Sequence, residues 1–265
     1  MTQRLARSAD GTMIASHSVG VGRPLLLVCG ALSTSEMWKR VLALLQLGRS
    51  VEAIDRRGRG QSGNQLPYAP EREIEDVLAV LAAHEGPVDL LGHSSGAILS
   101  LQVAARAPAN LSRLVVYEPP VFFSEPDSIA PDLPERLDAL LANGQAEAAI
   151  ETFLREGPRS SEAELTALKA GPMWPNTLKS LAHTVPYDAR VQRSYSADPD
   201  ELAALRIPTL VLIGGGSPQR MRSGAETVAS RMPRAQLREL AGQRHMAMLS
   251  APELFASAVN AFLAA

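Results

Sequence analysis

The chain has 265 residues; 46% of them are hydrophobic, 20% are charged, and the formal net charge at pH 7 is −2. These values are ordinary for a soluble globular protein, and the charge gives no reason to expect nucleic acid or an anionic membrane as a partner. The single cysteine, Cys29, excludes an internal disulfide framework, and no apolar run has the length of a signal-peptide core or a membrane-spanning helix, so we expect a cytoplasmic protein.

The first part of the sequence predicts a hairpin followed by strands that alternate with helices. The hairpin is predicted in RLARSADGTMIASHSV, with its turn at Asp10-Gly11, a dipeptide favoured where φ must be positive. Continuous apolar runs that end at a turn signal are typical of strands buried on both faces. RPLLLVCG is such a run, closed by Gly30, and further strands are predicted in VEAID, VDLLGHS and LSRLVVYEPP. Helices are predicted over 35–46 and in EREIEDVLAVLAAH and SGAILSLQVAARA.

The rhythm changes after this fourth strand. Residues 121–205 contain no convincing buried strand and predict helices, for example in LPERLDALLANGQAEAAIETFLREG. After Pro208 the alternation resumes with TLVLIGG, GAETVASRM, AQLREL and APELFASAVNAFLAA. The sequence therefore predicts an α/β fold: one domain over residues 1–265, with a mostly parallel sheet covered by helices on both faces and a helical cap inserted at 121–205.

A Gly-x-Ser-x-Gly string, residues 92–96, lies between the strand VDLLGHS and the helix SGAILSLQVAARA. In such a string a strained strand-to-helix turn exposes the central serine, and the flanking glycines leave room for the neighbouring backbone. An ordinary glycine-rich turn, the alternative, would not need this strand and helix around it. We therefore predict that Ser94 is a nucleophile and that the backbone N–H of Ser95, at the helix N-terminus, helps to hold an oxyanion.

Four more strings carry a resemblance to a known family: LLLVCGALSTSEMW, VEAIDRRGRGQSG, IPTLVLIGG and AGQRHMAM. Together with GHSSG they resemble the α/β-hydrolase family over essentially the whole chain. The resemblance implies that Ala31 supplies the second oxyanion N–H and that His245, between the last strand and the final helix, is the general base. DRRGRGQSG matches a family turn and lacks the spacing of a phosphate-binding loop, so its arginines are predicted to be structural.

The catalytic acid is missing from its usual place in that family. The loop GGGSPQRM follows the strand TLVLIGG without any carboxylate, and Ser217 stands at the expected position. Glu118 ends the strand RLVVYE, and a charged residue at a buried strand end is unusual without a partner. Some members of the family carry the acid at this strand, so we predict that Glu118 orients His245. The alternatives are an acid from the cap, first of all Asp188, or an enzyme without one.

These residues predict a serine hydrolase that cleaves a carboxylic ester or lactone of a small, largely apolar substrate through an acyl-enzyme. No metal or organic cofactor is expected, because the sequence has no metal-ligand spacing and the triad needs none. Trp174 and His183 are predicted to contact the substrate, although both fit a structural role in the cap. The alternatives are a cofactor-free oxygenase or perhydrolase that uses the same triad, and a ligand receptor that retains the pocket. The sequence does not predict an oligomeric state.

Overall fold

Eight strands form one sheet in the computed structural model, which describes residues 1–46, 48–122, 129–175, 179–195 and 198–264. The strands are β1 Thr2–Arg7, β2 Met13–Gly20, β3 Arg23–Val28, β4 Arg49–Ile54, β5 Val88–His93, β6 Leu111–Tyr117, β7 Thr209–Gly214 and β8 Ala235–Leu240. Their order across the sheet is β1-β2-β4-β3-β5-β6-β7-β8. The hairpin β1–β2 pairs antiparallel with β4, and all pairs from β4 to β8 are parallel. The predicted α/β fold class is confirmed.

The helices alternate with the strands from β3 onward, except that five of them lie in succession between β6 and β7 and two follow β8. They are α1 Lys39–Leu45, α2 Pro70–Ala82, α3 Ser95–Ala105, α4 Leu133–Ala142, α5 Ala146–Glu156, α6 Glu162–Ala170, α7 Val185–Ser194, α8 Pro199–Ala204, α9 Gln219–Arg231, α10 Ala247–Ser250 and α11 Pro252–Ala264. The single helix predicted over 35–46 is instead a 3-10 turn, Ser35–Trp38, that continues into α1. Such turns are frequent at helix N-termini, where the first N–H groups lack intrahelical partners. None of the helices in these described ranges is both long and apolar enough to cross a membrane.

The sheet is buried on both faces, and β3 shows how the sequence achieves this. Successive side chains of a strand point to opposite faces. Leu26 and Val28 of β3 belong to the hydrophobic cluster that α2, α3 and α9 cover, whereas Leu25 and Leu27 belong to the cluster covered by α1 and α11. A continuous apolar run was therefore the correct signature of a central parallel strand.

Residues 121–205, here called the cap segment, contain helices α4 to α8 and no strand among the residues described; residues 123–128, 176–178 and 196–197 lie outside the described ranges. Residues of α4, α5 and α7, among them Leu133, Phe153 and Val185, form a third hydrophobic cluster, to which Trp174 also belongs. Leu32, from the loop after β3, belongs to the same cluster. The core of the cap segment thus packs directly against a loop at the carboxyl edge of the sheet.

Candidate active site

Ser94 lies at a sharp turn between β5 and α3. Its backbone has φ 54° and ψ −126°, a conformation that costs on the order of 1–3 kcal/mol for a residue with a side chain. The flanking glycines make the turn possible, because a Cβ on Gly92 would lie 2.4 Å from the carbonyl oxygen of Gly96, and one on Gly96 would lie 2.4 Å from that of Cys29. The strain and the close packing together present the Ser94 side chain at the carboxyl edge of the sheet.

The loop after β3 lies directly beside this turn. A Cβ on Gly30 would come within 2.8 Å of the Ser94 Cβ. Ala31 is the next residue along the chain, so its N–H lies beside this close approach. Ser95 opens α3 and is fully buried. In the described part of the chain, neither the Ala31 N–H nor the Ser95 N–H has a hydrogen-bond acceptor. Two unused N–H groups beside a strained serine are what an oxyanion hole requires.

Glu118 and His245 are brought together at the ends of neighbouring elements. Glu118 directly follows β6, is fully buried, and has φ 47°. One carboxylate oxygen, Oε2, lies 2.7 Å from Nδ1 of His245. The other, Oε1, accepts hydrogen bonds from the Gly214 N–H, at 2.8 Å, and from the hydroxyl of Ser217. A carboxylate can only accept, so Nδ1 of His245 donates and the lone pair of the neutral ring is on Nε2.

The charge of Glu118 is maintained by these donors. Burial by itself would raise the pKa of this carboxyl, but the hydrogen bonds from His245, Ser217 and Gly214 outweigh it and lower the pKa below its ordinary value. Backbone hydrogen bonds connect the three strand ends: the Ser94 N–H donates to the Tyr117 carbonyl at 2.9 Å, and the Glu118 N–H donates to the Leu212 carbonyl at 3.0 Å. The serine and the acid therefore occupy adjacent strand ends in one hydrogen-bonded edge.

A model of the alpha/beta hydrolase family matches residues 25–258. The chain belongs to the alpha/beta hydrolase family. The solved structure of an alpha/beta hydrolase from Sphaerobacter thermophilus is 39% identical, with a TM-score of 0.90, over 98% of this chain and 100% of that one. The (E)-2-((N-methylformamido)methylene)succinate hydrolase of Acinetobacter baylyi is 26% identical over 249 residues, 92% of this chain and 91% of the relative. N-formylmaleamate deformylase of Pseudomonas putida is 37% identical over 105 residues, 38% of this chain and 39% of that protein.

In this alpha/beta hydrolase, two aromatic side chains hold the segment that carries His245. His93 is buried, and its Nε2 donates a hydrogen bond to the His245 carbonyl at 2.8 Å. Burial, together with the neighbouring His245, keeps the pKa of His93 well below its usual range, so the ring is neutral. The Tyr117 hydroxyl donates to the Arg244 carbonyl and accepts from the Ala247 N–H at 3.3 Å. Tyr117 was not identified from the sequence, because a single aromatic residue at a strand end carries no spacing signal.

Asp188, the alternative acid, is engaged elsewhere in the hydrolase. It is fully buried and bonds to Arg56, Arg59 and Ser95 rather than to His245. Arg57, the remaining arginine of the DRRGRG turn, is paired with Asp76 at 2.7 Å and is also buried. The prediction that these arginines are structural agrees with their buried ion pairs.

Trp174 and His183 occupy positions that fit the structural alternative. The Trp174 side chain is buried in the cluster of the cap segment, and its indole N–H donates to Glu147 at 3.2 Å. His183 is exposed, and its Nε2 lies 2.9 Å from the Gly58 carbonyl oxygen. No contact among the described residues joins either side chain to Ser94 or His245. Their substrate contacts stay a prediction.

The Cys29 thiol is buried and lies 3.4 Å from the Ser33 carbonyl oxygen, and burial raises its pKa to about 11, as for an unreactive thiol. Across the described ranges, no group of three or more His, Cys, Asp or Glu side chains is arranged to hold a metal ion.

Proposed function

We propose that the protein is a serine hydrolase that cleaves a carboxylic ester or lactone of a small, largely apolar substrate through an acyl-enzyme on Ser94. The observation that carries the proposal is the 2.7 Å contact between Glu118 and Nδ1 of His245, at the strand end next to the strained Ser94 turn. Such a contact fixes the tautomer in which Nε2 can accept a proton from a nucleophile.

The proposed reaction begins when the Ser94 Oγ attacks the acyl carbon and its proton moves to Nε2 of His245. The carbonyl oxygen becomes an oxyanion, which the N–H groups of Ala31 and Ser95 stabilise. When the tetrahedral intermediate collapses, Nε2 returns the proton to the leaving alkoxide oxygen and an ester to Ser94 is left. Water then attacks that ester and gives a proton to Nε2. When this second tetrahedral intermediate collapses, Nε2 returns the proton to the Ser94 Oγ, and the acid and the free serine are released. Glu118 stays ionised throughout and stabilises the imidazolium.

A formamide is the second candidate substrate class. It is favoured by the names of two relatives, the Acinetobacter hydrolase of an N-methylformamido compound and the Pseudomonas deformylase. The same proton transfers would apply, with nitrogen in place of the alkoxide oxygen as the leaving atom. The leaving amine is more basic than an alcohol, so protonation by His245 would have to accompany its departure.

A substrate panel tests the proposal. It contains p-nitrophenyl esters of graded acyl length, lactones and N-formyl amides, with product measured over many turnovers and dissolved oxygen recorded in parallel. We expect multiple turnovers on at least one ester or lactone, no oxygen uptake, and no turnover by Ser94→Ala. Oxygen uptake coupled to product would instead support the oxygenase alternative, and release of a single equivalent or none would support a receptor. Turnover of formamides alone would replace the ester by the second candidate.

A further inference from the structure

A buried cluster of charges lies on the side of Ser95 that faces the cap segment. Its charged members are Arg56, Arg59, Glu73 and Asp188, and each is at most 2% exposed. Arg56 makes a bidentate pair with Glu73, with N···O distances of 2.7 and 2.8 Å. Arg59 binds Asp188 at 2.8 Å and lies 3.5 Å from Glu73. The two arginines and the two carboxylates carry equal and opposite charge, so each buried ion has an oppositely charged partner.

One nitrogen of this cluster touches three different elements. Nη1 of Arg56 lies 2.8 Å from Asp188 Oδ1, 3.0 Å from Ser95 Oγ and 3.3 Å from the Cys29 carbonyl oxygen. The Ser95 hydroxyl in turn donates to Asp188 Oδ1 at 2.8 Å. Asp188 belongs to α7 of the cap segment, Ser95 opens α3, and Cys29 directly follows β3.

Both expected oxyanion donors are therefore anchored to the same point. Ser95 carries one of the N–H groups, and its own side chain is fixed by Asp188 and Arg56. Ala31, which carries the other, lies two residues beyond the Cys29 carbonyl that Arg56 binds. An oxyanion hole is effective only when its donors are already aimed at the developing charge, so small displacements of either residue matter.

We propose that Asp188 is a positioning residue for the oxyanion hole: through Ser95 and Arg56 it holds the two N–H donors in place and makes their geometry depend on the seating of α7. The inference rests on the proposed function of Ser94. It gives the cap segment a role in transition-state stabilisation, in addition to any role in substrate access. Asp188 keeps its negative charge although burial by itself would raise the pKa of its carboxyl. The neighbouring Arg59 and Arg56, with the Ser95 hydrogen bond, outweigh burial and lower that pKa.

The test compares Ser95→Ala, which keeps the backbone N–H but removes the hydroxyl, with Asp188→Asn and the double variant. Each is assayed for kcat and KM on a p-nitrophenyl ester and for the affinity of an aryl trifluoromethyl ketone, whose adduct with Ser94 presents an oxyanion. We expect kcat to fall about tenfold in Ser95→Ala and about 10²-fold in Asp188→Asn, with KM nearly unchanged and ketone affinity falling by the same factors. The double variant should lose no more than Asp188→Asn alone, because both changes break one linkage.

Asp76→Asn is the matched control. The substitution breaks the buried ion pair between Asp76 and Arg57, which lies on the same DRRGRG turn as Arg56 and Arg59. Neither Asp76 nor Arg57 contacts Ser95 or Cys29. The control should retain kcat within about threefold even if it unfolds more easily. An equal fall in the control, or a fall in kcat without a fall in ketone affinity, would overturn the positioning role.

The two proposals fail in different ways. If the wild type hydrolyses the ester and binds the ketone while Ser95→Ala matches it in both, the proposed function stands and the positioning role is wrong; this holds even if Asp188→Asn does not fold. If the wild type shows neither turnover nor ketone binding, the proposed function is wrong and the inference falls with it.

Discussion

Glu118 keeps a negative charge where water is excluded. Its side chain is fully buried and its backbone is in the left-handed region, at φ 47°. Three hydrogen-bond donors compensate for the burial of this charge. They come from Gly214, Ser217 and His245 and together occupy both carboxylate oxygens. The loop that lacks a carboxylate thus supplies a hydrogen bond to the carboxylate on the neighbouring strand. Ser217, at the position where the acid was expected, donates a hydrogen bond to Glu118.

Replacing Glu118 by Gln tests this arrangement. The amide keeps the shape but removes the charge that stabilises the His245 imidazolium, and it can present an N–H to Nδ1, which favours the wrong tautomer. We expect kcat to fall by about 10² to 10⁴ with the fold intact by circular dichroism. Near-native turnover would exclude Glu118 as the orienting acid.

Ser217 provides the matched comparison. Ser217→Ala removes one donor to Glu118 but leaves the Gly214 and His245 contacts, so kcat should fall less than about tenfold. Ser217→Asp in the Glu118→Gln background should recover part of the lost turnover, because both positions lie at adjacent strand ends. If kcat fell more in Ser217→Ala than in Glu118→Gln, the assignment of Glu118 as the orienting acid would be contradicted.

At the scale of elements, the cap segment is attached to the sheet by two different kinds of contact. The ion pairs of Asp188 join α7 to the DRRGRG turn, and its hydrogen bond from Ser95 joins α7 to α3. The apolar cluster of α4, α5 and α7 extends to Leu32, next to the expected oxyanion residue Ala31. The helices of the cap segment therefore contact the site through both polar and apolar packing. Changes in their hydrophobic core should alter substrate preference.

Trp174→Ala should alter substrate preference more than the chemistry. Removing this buried indole leaves a cavity and should cost about 3–5 kcal/mol of stability. The loosened cap core should change the ratio of kcat/KM for long and short acyl esters by about tenfold, while turnover of the shortest ester stays within about threefold. Phe262→Ala, a cavity of similar kind in α11 on the far face of the sheet, should destabilise without changing that ratio. An equal loss across all acyl lengths in Trp174→Ala would contradict a role in access.

For the whole molecule, the order of strands and helices was predictable because it depends on local apolar patterns. β3 and β7 contain the continuous apolar runs PLLLV and LVLIG, and the GHSSG string falls between a strand and a helix as the pattern required. The start of α9 was less predictable: the helix begins at Gln219, five residues before the predicted segment GAETVASRM. Its first turn has one apolar residue, Met221, which lies on the buried face with Ala225 and Val228, but the polar residues around Met221 obscured the start of the helix.

The contacts that complete the site were not predictable in the same way. Asp188 reaches Ser95 across 93 residues, and the Tyr117 hydroxyl reaches Arg244 across 127. Such polar contacts join single positions that share no period and no motif, so one sequence does not identify the partners. Glu118 was the exception, because a carboxylate at the end of a buried strand already implies a partner.

Covalent labelling by a fluorophosphonate probe, followed by intact-mass measurement, tests most directly whether Ser94 is the activated nucleophile. An active-site serine with a general base should be phosphonylated once per chain. The wild type should therefore gain a single adduct, Ser94→Ala should gain none, and Ser95→Ala should still gain it, although more slowly. An adduct that persists in Ser94→Ala, or its loss in Ser95→Ala alone, would contradict the assignment of Ser94.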